Sequence, residues 1–169
     1  MSQAAMANRM SGAEADEQRA YALAARARKK AEAETIGIDA DYIASFVDQF
    51  YGKIRKDELL WPIFNERIAD WGEHLCRMKR FWRSVLHNSG EFSGNPMLKH
   101  LAIPGLELRH FAHWLELFYA TLRDLEPHPE ATTLVGGRAR MIADSLLTAI
   151  AMRRDGLSAG RAGKDLPHV

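Results

Sequence analysis

The segment from Trp71 to Leu106 constrains the fold of this chain more than any other stretch. It is predicted to begin as an amphipathic helix that carries His74, to continue through a loop broken by glycines, and to end in a short helical piece that carries His100. That piece ends before Pro104, because proline disfavours helix at the residue preceding it. Two histidines therefore lie on separate elements, and a flat ligand could lie between them.

Three further segments repeat apolar residues every three or four positions, the spacing typical of amphipathic helices. The first follows Gly37, with Asp39 as its candidate N-cap, the second follows the His100 loop, and the third lies near the C-terminus. A short tight turn from Asp57 to Trp61, ended by Pro62, is predicted between the first helix and the next. No segment alternates with a period of two residues. The domain is therefore predicted to be all-α, with loops too irregular for a simple up-down bundle.

The 169 residues, 47% of them hydrophobic, are enough to bury one sizeable core, so a single domain is expected over residues 37–156. Residues 1–36 are rich in Ala, Arg, Lys and Glu and have few large apolar side chains, such as Tyr21 and Leu23. We expect a flexible or helical N-terminal extension there, which could pack on a partner subunit. Small and charged residues predict a flexible tail over residues 157–169.

Charge and cysteine content exclude several classes of protein. A net charge of +1 with interspersed acids and bases gives no basic surface for nucleic acid or an anionic membrane, so neither is expected as a partner. The one cysteine, Cys76, cannot form an internal disulfide, and the sequence has no CxxC or CxxCH motif, which excludes zinc ribbons, thioredoxin chemistry and covalently attached haem. No apolar run approaches the roughly 18 residues needed to span a bilayer, and residues 1–35 lack the apolar middle of a secretory signal. A cytoplasmic protein is therefore expected.

Four segments of this chain resemble the group III truncated haemoglobins, which are small globins with a two-over-two helical sandwich. The segments are FYGKIRKDELLWPIF (residues 50–64), HLCRMKRFWRSVL (74–86), GNPMLKHLAIPGL (94–106) and HFAHWLELF (110–118). The resemblance extends over residues 38–152. It implies an all-α, truncated globin-like fold and a b-type haem that binds diatomic ligands, O2 or NO, at its iron.

His100 matches the proximal iron ligand of this family. A haem held without covalent attachment needs an axial base, usually a neutral imidazole whose other nitrogen is bound to a carbonyl or carboxylate oxygen. A lone loop histidine is more often a surface residue, so the prediction depends on the surrounding GNPMLKHL motif.

Three residues match the ligand side of the haem in the family: Tyr51, His74 and Trp114. Oxygen bound to ferrous iron acquires negative charge, and phenol O–H and indole N–H groups in a dry pocket stabilise that charge. His74 matches the distal histidine, which either contacts the ligand or swings aside as a gate, and its coordination of the iron stays open. Each aromatic residue alone is more often part of a core, so the interpretation rests on their joint occurrence with His100.

Apolar side chains are expected to form the walls of the haem pocket, and Arg77 to meet the haem propionates at its edge. The wall residues are Phe50, Phe64, Met78, Phe81, Trp82 and Ile142. Any helical core has such residues, and a solvated surface arginine is the more ordinary interpretation of Arg77. Trp61 departs from the family, which usually has a small residue before Pro-Ile-Phe.

Other functions stay open on the sequence alone. Glu107 and His110 form one Glu-x-x-His pair, whereas di-iron bundles use two, and a weak metal site at His110 and His113 is the less common interpretation of such a surface pair. Cys76 is two positions after His74 and points away from it on a helix, which argues against a thiol nucleophile. A haem-free helical interaction module is the main alternative.

Within the haem interpretation, a strongly donating pocket slows oxygen release. This argues against oxygen delivery and favours redox chemistry, such as nitric oxide dioxygenation or peroxide turnover, with a reductase as partner.

Overall fold

The computed structural model of the chain describes residues 3–125, 128–156 and 162–169, with side chains described from residue 14 onwards. Regular structure in these residues is entirely helical, as predicted. The helices are α1 (Gln3–Thr35), α2 (Ala40–Ile54), α3 (Trp61–Asn65), α4 (Trp71–His87), α5 (Pro96–Leu101), α6 (Leu108–Asp124) and α7 (Pro129–Asp155). None of the helices described is long and apolar enough to cross a membrane.

Side-chain caps set the start of the two helices that flank α3. The Asp39 carboxylate accepts a hydrogen bond from the Tyr42 N–H at the start of α2, which confirms the predicted N-cap. The Asp70 carboxylate accepts from the Glu73 N–H at the start of α4. α4 ends where Asn88 adopts the left-handed conformation, with φ of 56°, which asparagine tolerates better than most residues.

The predicted boundary of the short turn before α4 was wrong. The turn lies before Trp61, where the Asp57 carboxylate accepts hydrogen bonds from the N–H groups of Leu59 and Leu60. Trp61 begins α3, and Pro62 lies in its first turn instead of ending the segment. Proline is tolerated there because the first N–H groups of a helix have no partner within the helix.

Two helix pairs form the body of the molecule: α2 packs on α4, α6 packs on α7, and α2 also packs on α6. This is the two-over-two arrangement expected from the sequence. Phe46 and Phe50 of α2 and Phe118 of α6 are fully buried where the pairs meet. The ring centroids of Phe46 and Phe118 are 5.6 Å apart, and those of Phe50 and Phe118 are 5.1 Å apart. Edge contacts of this kind add to the hydrophobic contribution of the buried rings.

The described part of the C-terminal segment is packed, in contrast to the free tail expected from the sequence. Leu166 is fully buried, and the Tyr119 hydroxyl donates a hydrogen bond to the Pro167 carbonyl oxygen. The Arg140 guanidinium donates to the Leu166 carbonyl oxygen. The Leu166 side chain and three backbone acceptors, which include the Lys164 carbonyl oxygen that Arg140 also bonds, hold this segment on α6 and α7. The domain boundaries proposed from the sequence stay a prediction.

Candidate functional site

His100 lies on the short helix α5, which begins at Pro96. The Asn95 side chain accepts a hydrogen bond from the Leu98 N–H and caps this helix. The half-buried His100 ring lies with Nδ1 2.7 Å from the Pro96 carbonyl oxygen. A carbonyl oxygen only accepts, so Nδ1 carries the proton and donates it, and the lone pair of Nε2 is free. Within the described residues, Nε2 has no hydrogen-bond partner.

Tyr51 of α2 and His74 of α4 are brought into direct contact. Their ring centroids are 5.0 Å apart, and the rings are nearly perpendicular at 87°. His74 Nε2 is enclosed by protein and has no hydrogen-bond partner in the part of the chain that the structure describes. Burial, together with the charge of Arg77, lowers the pKa of His74 to about 4, so the ring is neutral at neutral pH.

Trp114 of α6 joins this group through a buried phenylalanine. The Phe50 ring lies 5.2 Å from Trp114 and 5.1 Å from Tyr51, and Trp114 also stacks on Phe118. Neither the Tyr51 hydroxyl nor the Trp114 indole N–H bonds to any described residue. Burial raises the pKa of Tyr51, so its hydroxyl keeps its proton. Two donors without a described partner therefore lie on either neighbour of Phe50, and the ring of one of them, Tyr51, contacts the His74 imidazole.

The apolar residues predicted as pocket walls fall into two groups. Phe64, Met78, Phe81 and Ile142 contact the core but stay half-exposed. Trp82, against the rings of Phe46 and Phe118, and Phe50 are buried instead. The reason is that the apolar stripe of α4 is wide enough to face two neighbours, and Trp82 lies on the side that faces α2.

Half-exposed apolar side chains lie near the histidines of both α4 and α5. Met78 and Phe81 follow His74 by one and two helical turns, and Met97 precedes His100 by about one turn, so each shares a helix face with a histidine. α5 packs on α7 and α4 packs on α1 and α2, whereas α4 and α5 do not pack extensively on each other in the described part of the chain. Half-exposed apolar surface therefore lies beside each of the two histidines.

An aromatic stack that the sequence analysis missed lies behind His74. The Trp71 ring contacts His74 at a centroid distance of 5.8 Å and stacks on Trp61 at 5.6 Å, with the Arg55 guanidinium 4.3 Å from the Trp71 centroid. Trp61, the residue that departs from the family pattern, is therefore one layer of this stack. Arg77 is exposed on α4, where it forms a 2.6 Å ion pair with Glu73.

The residues of the alternative metal site have other roles. The Glu107 N–H donates to His110 Nδ1 over 3.1 Å as part of the capping box of α6. His113 Nε2 lies 2.6 Å from Asp57 Oδ2. No group of three or more metal-binding side chains occurs among the described residues. These contacts account for the Glu-x-x-His pair without a metal ion.

Two surface cavities are lined by other residues than the predicted site. One, of about 290 Å³, lies between the start of α6 and the end of α7, with Glu107 and Arg154 among its lining residues. The other, of about 350 Å³, is lined by Cys76, Lys79, Arg80 and Arg83 on the outer side of α4. Neither cavity is lined by His74 or His100.

Comparison with known proteins confirms the family and the fold. No protein-family model matches the chain. It is 36% identical over 110 residues to the group 3 truncated hemoglobin ctb of Campylobacter jejuni, an alignment that covers 63% of this chain and 86% of the relative. The crystal structure of the group III truncated hemoglobin from Campylobacter jejuni matches with a TM-score of 0.63 and 34% identity, over 67% of this chain and 91% of that one. Since both sequence and structure match over most of the relative's length, this chain belongs to the group III truncated haemoglobins.

Proposed function

We propose that this chain binds b-type haem with His100 as the axial ligand of the iron, and binds a diatomic molecule, O2 or NO, at the haem. The observation that carries the proposal is the His100 imidazole: Nδ1 donates to the Pro96 carbonyl oxygen, and Nε2 is free. Metal-binding imidazoles have this arrangement, because the bond at one nitrogen fixes the tautomer and raises the basicity of the other. When bound, the haem would supply an iron that can coordinate both His100 and the diatomic ligand.

The enclosed nitrogen of His74 also suits a haem with a polar ligand. A buried polar atom without a partner costs about 1–3 kcal/mol, so the free Nε2 of His74 is an unfavourable feature of the protein on its own. A ligand atom beside this nitrogen would remove that cost. The low pKa of His74 keeps the ring neutral, so it adds no positive charge beside the iron.

Tyr51 and Trp114 would be the hydrogen-bond donors for the bound ligand. The high pKa of Tyr51 holds a proton at its hydroxyl oxygen throughout the physiological range. The Phe50 ring contacts the rings of both residues, and this surrounding is apolar. In such a low-dielectric environment, hydrogen bonds to a developing negative charge are stronger than in water.

The half-exposed apolar residues would hold the porphyrin itself. Phe64, Met78, Phe81 and Ile142 are the proposed walls, and their partial exposure in the protein alone supports this assignment, since a bound porphyrin would cover them. Arg77 is the proposed propionate partner. Its guanidinium has five donors and, among the described residues, forms an ion pair with Glu73 alone, so a propionate could bind without breaking that pair.

Strong hydrogen-bond donation favours redox chemistry over oxygen delivery, because a tightly held ligand leaves slowly. Nitric oxide dioxygenation or peroxide turnover would fit, with a separate reductase to return the iron to the ferrous state. As further parts of this proposal, the globin domain comprises residues 37–156, the protein works in the cytoplasm, and copies associate through the N-terminal extension.

The test is haem uptake by the full-length chain, followed by absorption spectroscopy. We expect the wild-type protein to take up haem with a Soret band, and His100→Ala to lose most of that band. His168→Ala is the matched control, because His168 is an exposed histidine with no described side-chain partner. It should bind haem as the wild type does. A wild-type protein that stays colourless after haem titration would support the haem-free interaction module, and an unchanged spectrum for His100→Ala would remove His100 from the iron.

A further inference from the structure

α1 projects from the body of the molecule with most of its surface uncovered. At a rise of 1.5 Å per residue, a helix of 33 residues is about 50 Å long. It packs on α4 only near its C-terminal end, where Ala25 and Lys29 are half-buried and Ala33 is buried. All the other side chains described in this helix, from Glu14 to Thr35, are exposed. This is far more exposure than the packing of one helix on a domain requires.

A second stripe of α1 is exposed along its whole described length. Positions three and four residues apart fall on this stripe, about 100° around the helix from the face that packs on α4. The stripe consists of Glu14, Glu17, Tyr21, Ala24, Arg28, Ala31 and Thr35. Tyr21 lies near its middle and is 74% exposed. With Ala24 and Ala31 it gives the stripe a small apolar surface that a second helix could cover.

The charges on this stripe are separated along the helix. The acidic residues Glu14 and Glu17 precede Tyr21, and the basic residue Arg28 follows it. Two copies placed parallel would bring Glu17 against Glu17 and Arg28 against Arg28, which is repulsive. Two antiparallel copies would bring opposite charges together, and their helix dipoles would also oppose each other favourably.

We propose that α1 pairs antiparallel with α1 of a second copy, to form a twofold-symmetric dimer. In the register that follows from the three- and four-residue spacing, Tyr21 packs on the partner subunit's Ala24 and Glu17 faces the partner subunit's Arg28. Both contacts occur twice because the dimer is symmetric. A large side chain meets a small one, as close packing of helices requires. Among the described residues of one chain, Arg28 pairs only with the exposed Glu32, at 3.8 Å, so it is available to the partner subunit's Glu17.

The charge balance of the extension favours a second copy over a membrane or nucleic acid. Residues 14–35 contain five acidic and five basic side chains, so this part of the extension has no net charge to attract an anionic surface. On the stripe the acidic residues precede the basic one, which complements an antiparallel copy of the same stripe. The interface is limited to two helices and is smaller than a standard protein interface of about 1,600 Å², so the dimer should be weak.

The experiment is sedimentation of the full chain from low micromolar to near-millimolar concentration. The chain has a mass of 19.1 kDa, and we expect the weight-average mass to approach twice this value at high concentration. Glu17→Arg and Arg28→Glu should each stay monomeric at the same concentrations, because each places like charges together twice. An equimolar mixture of the two variants should regain the dimer, because both charge contacts in the mixed pair are again opposite.

Two further variants complete the test. Asp16→Arg is the matched control: it changes the same charge one residue away, off the stripe, and should dimerise as the wild type does. Tyr21→Ser removes the central apolar contact without a charge change and should shift the equilibrium to monomer. Wild-type protein that is monomeric throughout, single variants that still dimerise, or a mixture that stays monomeric would each overturn the proposal. The helix content of all variants is compared by circular dichroism. If the mixture regains the dimer mass and the helix content of the wild type, its two components are folded well enough to pair.

Discussion

At the scale of single residues, His74 and His100 are both half-buried but differ at their ring nitrogens. The backbone of α5 holds one nitrogen of His100 and leaves the other free at partial exposure. His74 has one nitrogen enclosed without a described partner, and its ring contacts the rings of Tyr51 and Trp71. The first arrangement suits a base that binds a metal. The second suits a neutral side chain that can form a hydrogen bond with a polar ligand.

Tyr51→Phe tests the proposed hydrogen bond to the diatomic ligand. Loss of a donor to a partly charged acceptor costs about 1.5–3 kcal/mol, so the oxygen dissociation rate of the haem-bound protein should rise by about tenfold or more. Trp114→Phe should act in the same direction. Tyr119→Phe is the control, since the Tyr119 hydroxyl bonds to the Pro167 carbonyl oxygen on another side of the molecule. Stopped-flow displacement of O2 measures these rates, and equal rates in Tyr51→Phe and wild type would exclude Tyr51 as a donor.

The ion pair between His113 and Asp57 predicts a pH dependence of stability. The hydrogen bond to Asp57 raises the pKa of His113, so this contribution is complete below about pH 6.5 and is lost as pH rises through the folded-state value. Burial of Asp57 acts against ionisation, but its hydrogen bonds to His113, Leu60 and Leu59 lower its pKa overall. The Asp57 contribution is therefore present above about pH 4 and is lost in stronger acid.

His113→Gln should remove the pH-dependent contribution of His113 to the stability of the protein. We expect the free energy of unfolding to fall by about 1 kcal/mol near pH 6, since the pair is partly exposed, and by less at high pH, where His113 is neutral. Urea titrations of both proteins from pH 5 to pH 9 measure the difference. A difference that does not change with pH would show that the ion pair contributes nothing through its charge.

At the scale of elements, α5 depends on a few local contacts. A helix of six residues does not form alone in water, so the Asn95 cap and the packing on α7 have to hold it. The bond from His100 Nδ1 to the Pro96 carbonyl lies within the same helix. The position of the free His100 nitrogen therefore depends on the integrity of this one turn.

Asn95→Ala tests this dependence. Loss of the cap should lower the stability of the protein by about 1 kcal/mol and increase the rate of haem loss, because α5 frays more often. Asp39→Ala is a matched control, since Asp39 caps α2 in the same way but lies on a different helix from His100. It should cost similar stability with no comparable change in haem loss. Transfer of haem to an excess of an acceptor protein gives the rates, and equal haem loss in the two variants would refute the special role of the cap.

At the scale of the whole molecule, the C-terminal segment completes the outer surface of the α6–α7 pair. Leu166 is fully buried, and the side chain of Val169 lies against Gly136 of α7, where an added Cβ would come within 2.7 Å of it. Gly163 is similarly close to Asp144, since an added Cβ would clash with the Asp144 backbone and side chain. These glycines allow the segment to approach α7 closely.

Leu166→Ala measures how much this segment contributes. Truncation of a fully buried leucine leaves a cavity, and we expect the free energy of unfolding to fall by about 2–3 kcal/mol. Lys164→Ala, which changes an exposed side chain of the same segment, should change it by less than about 0.5 kcal/mol. Urea denaturation of the three proteins provides the comparison. A free tail, as expected from composition, would give the same stability for all of them.

The sequence by itself determined the helices, the family and the short motif that carries His100. Helical periodicity and caps such as Asp39 are local, so they can be read without knowing what each helix meets. Matching segments in the right order were enough to identify a group III truncated haemoglobin. The start of α3 was misplaced because Pro62 can equally end a turn or begin a helix.

Only the tertiary structure decided which residues each apolar stripe meets. Periodicity predicts that Trp82 and Phe81 are both apolar positions of α4, but the packing of α2 buries one and leaves the other half-exposed. The stack of Trp61 on Trp71 joins residues of two different helices, which no local pattern predicts. The burial of Leu166 is likewise not predicted by the composition of the C-terminal segment. Long-range contacts of this kind depend on how whole helices are placed, and no local spacing encodes that placement.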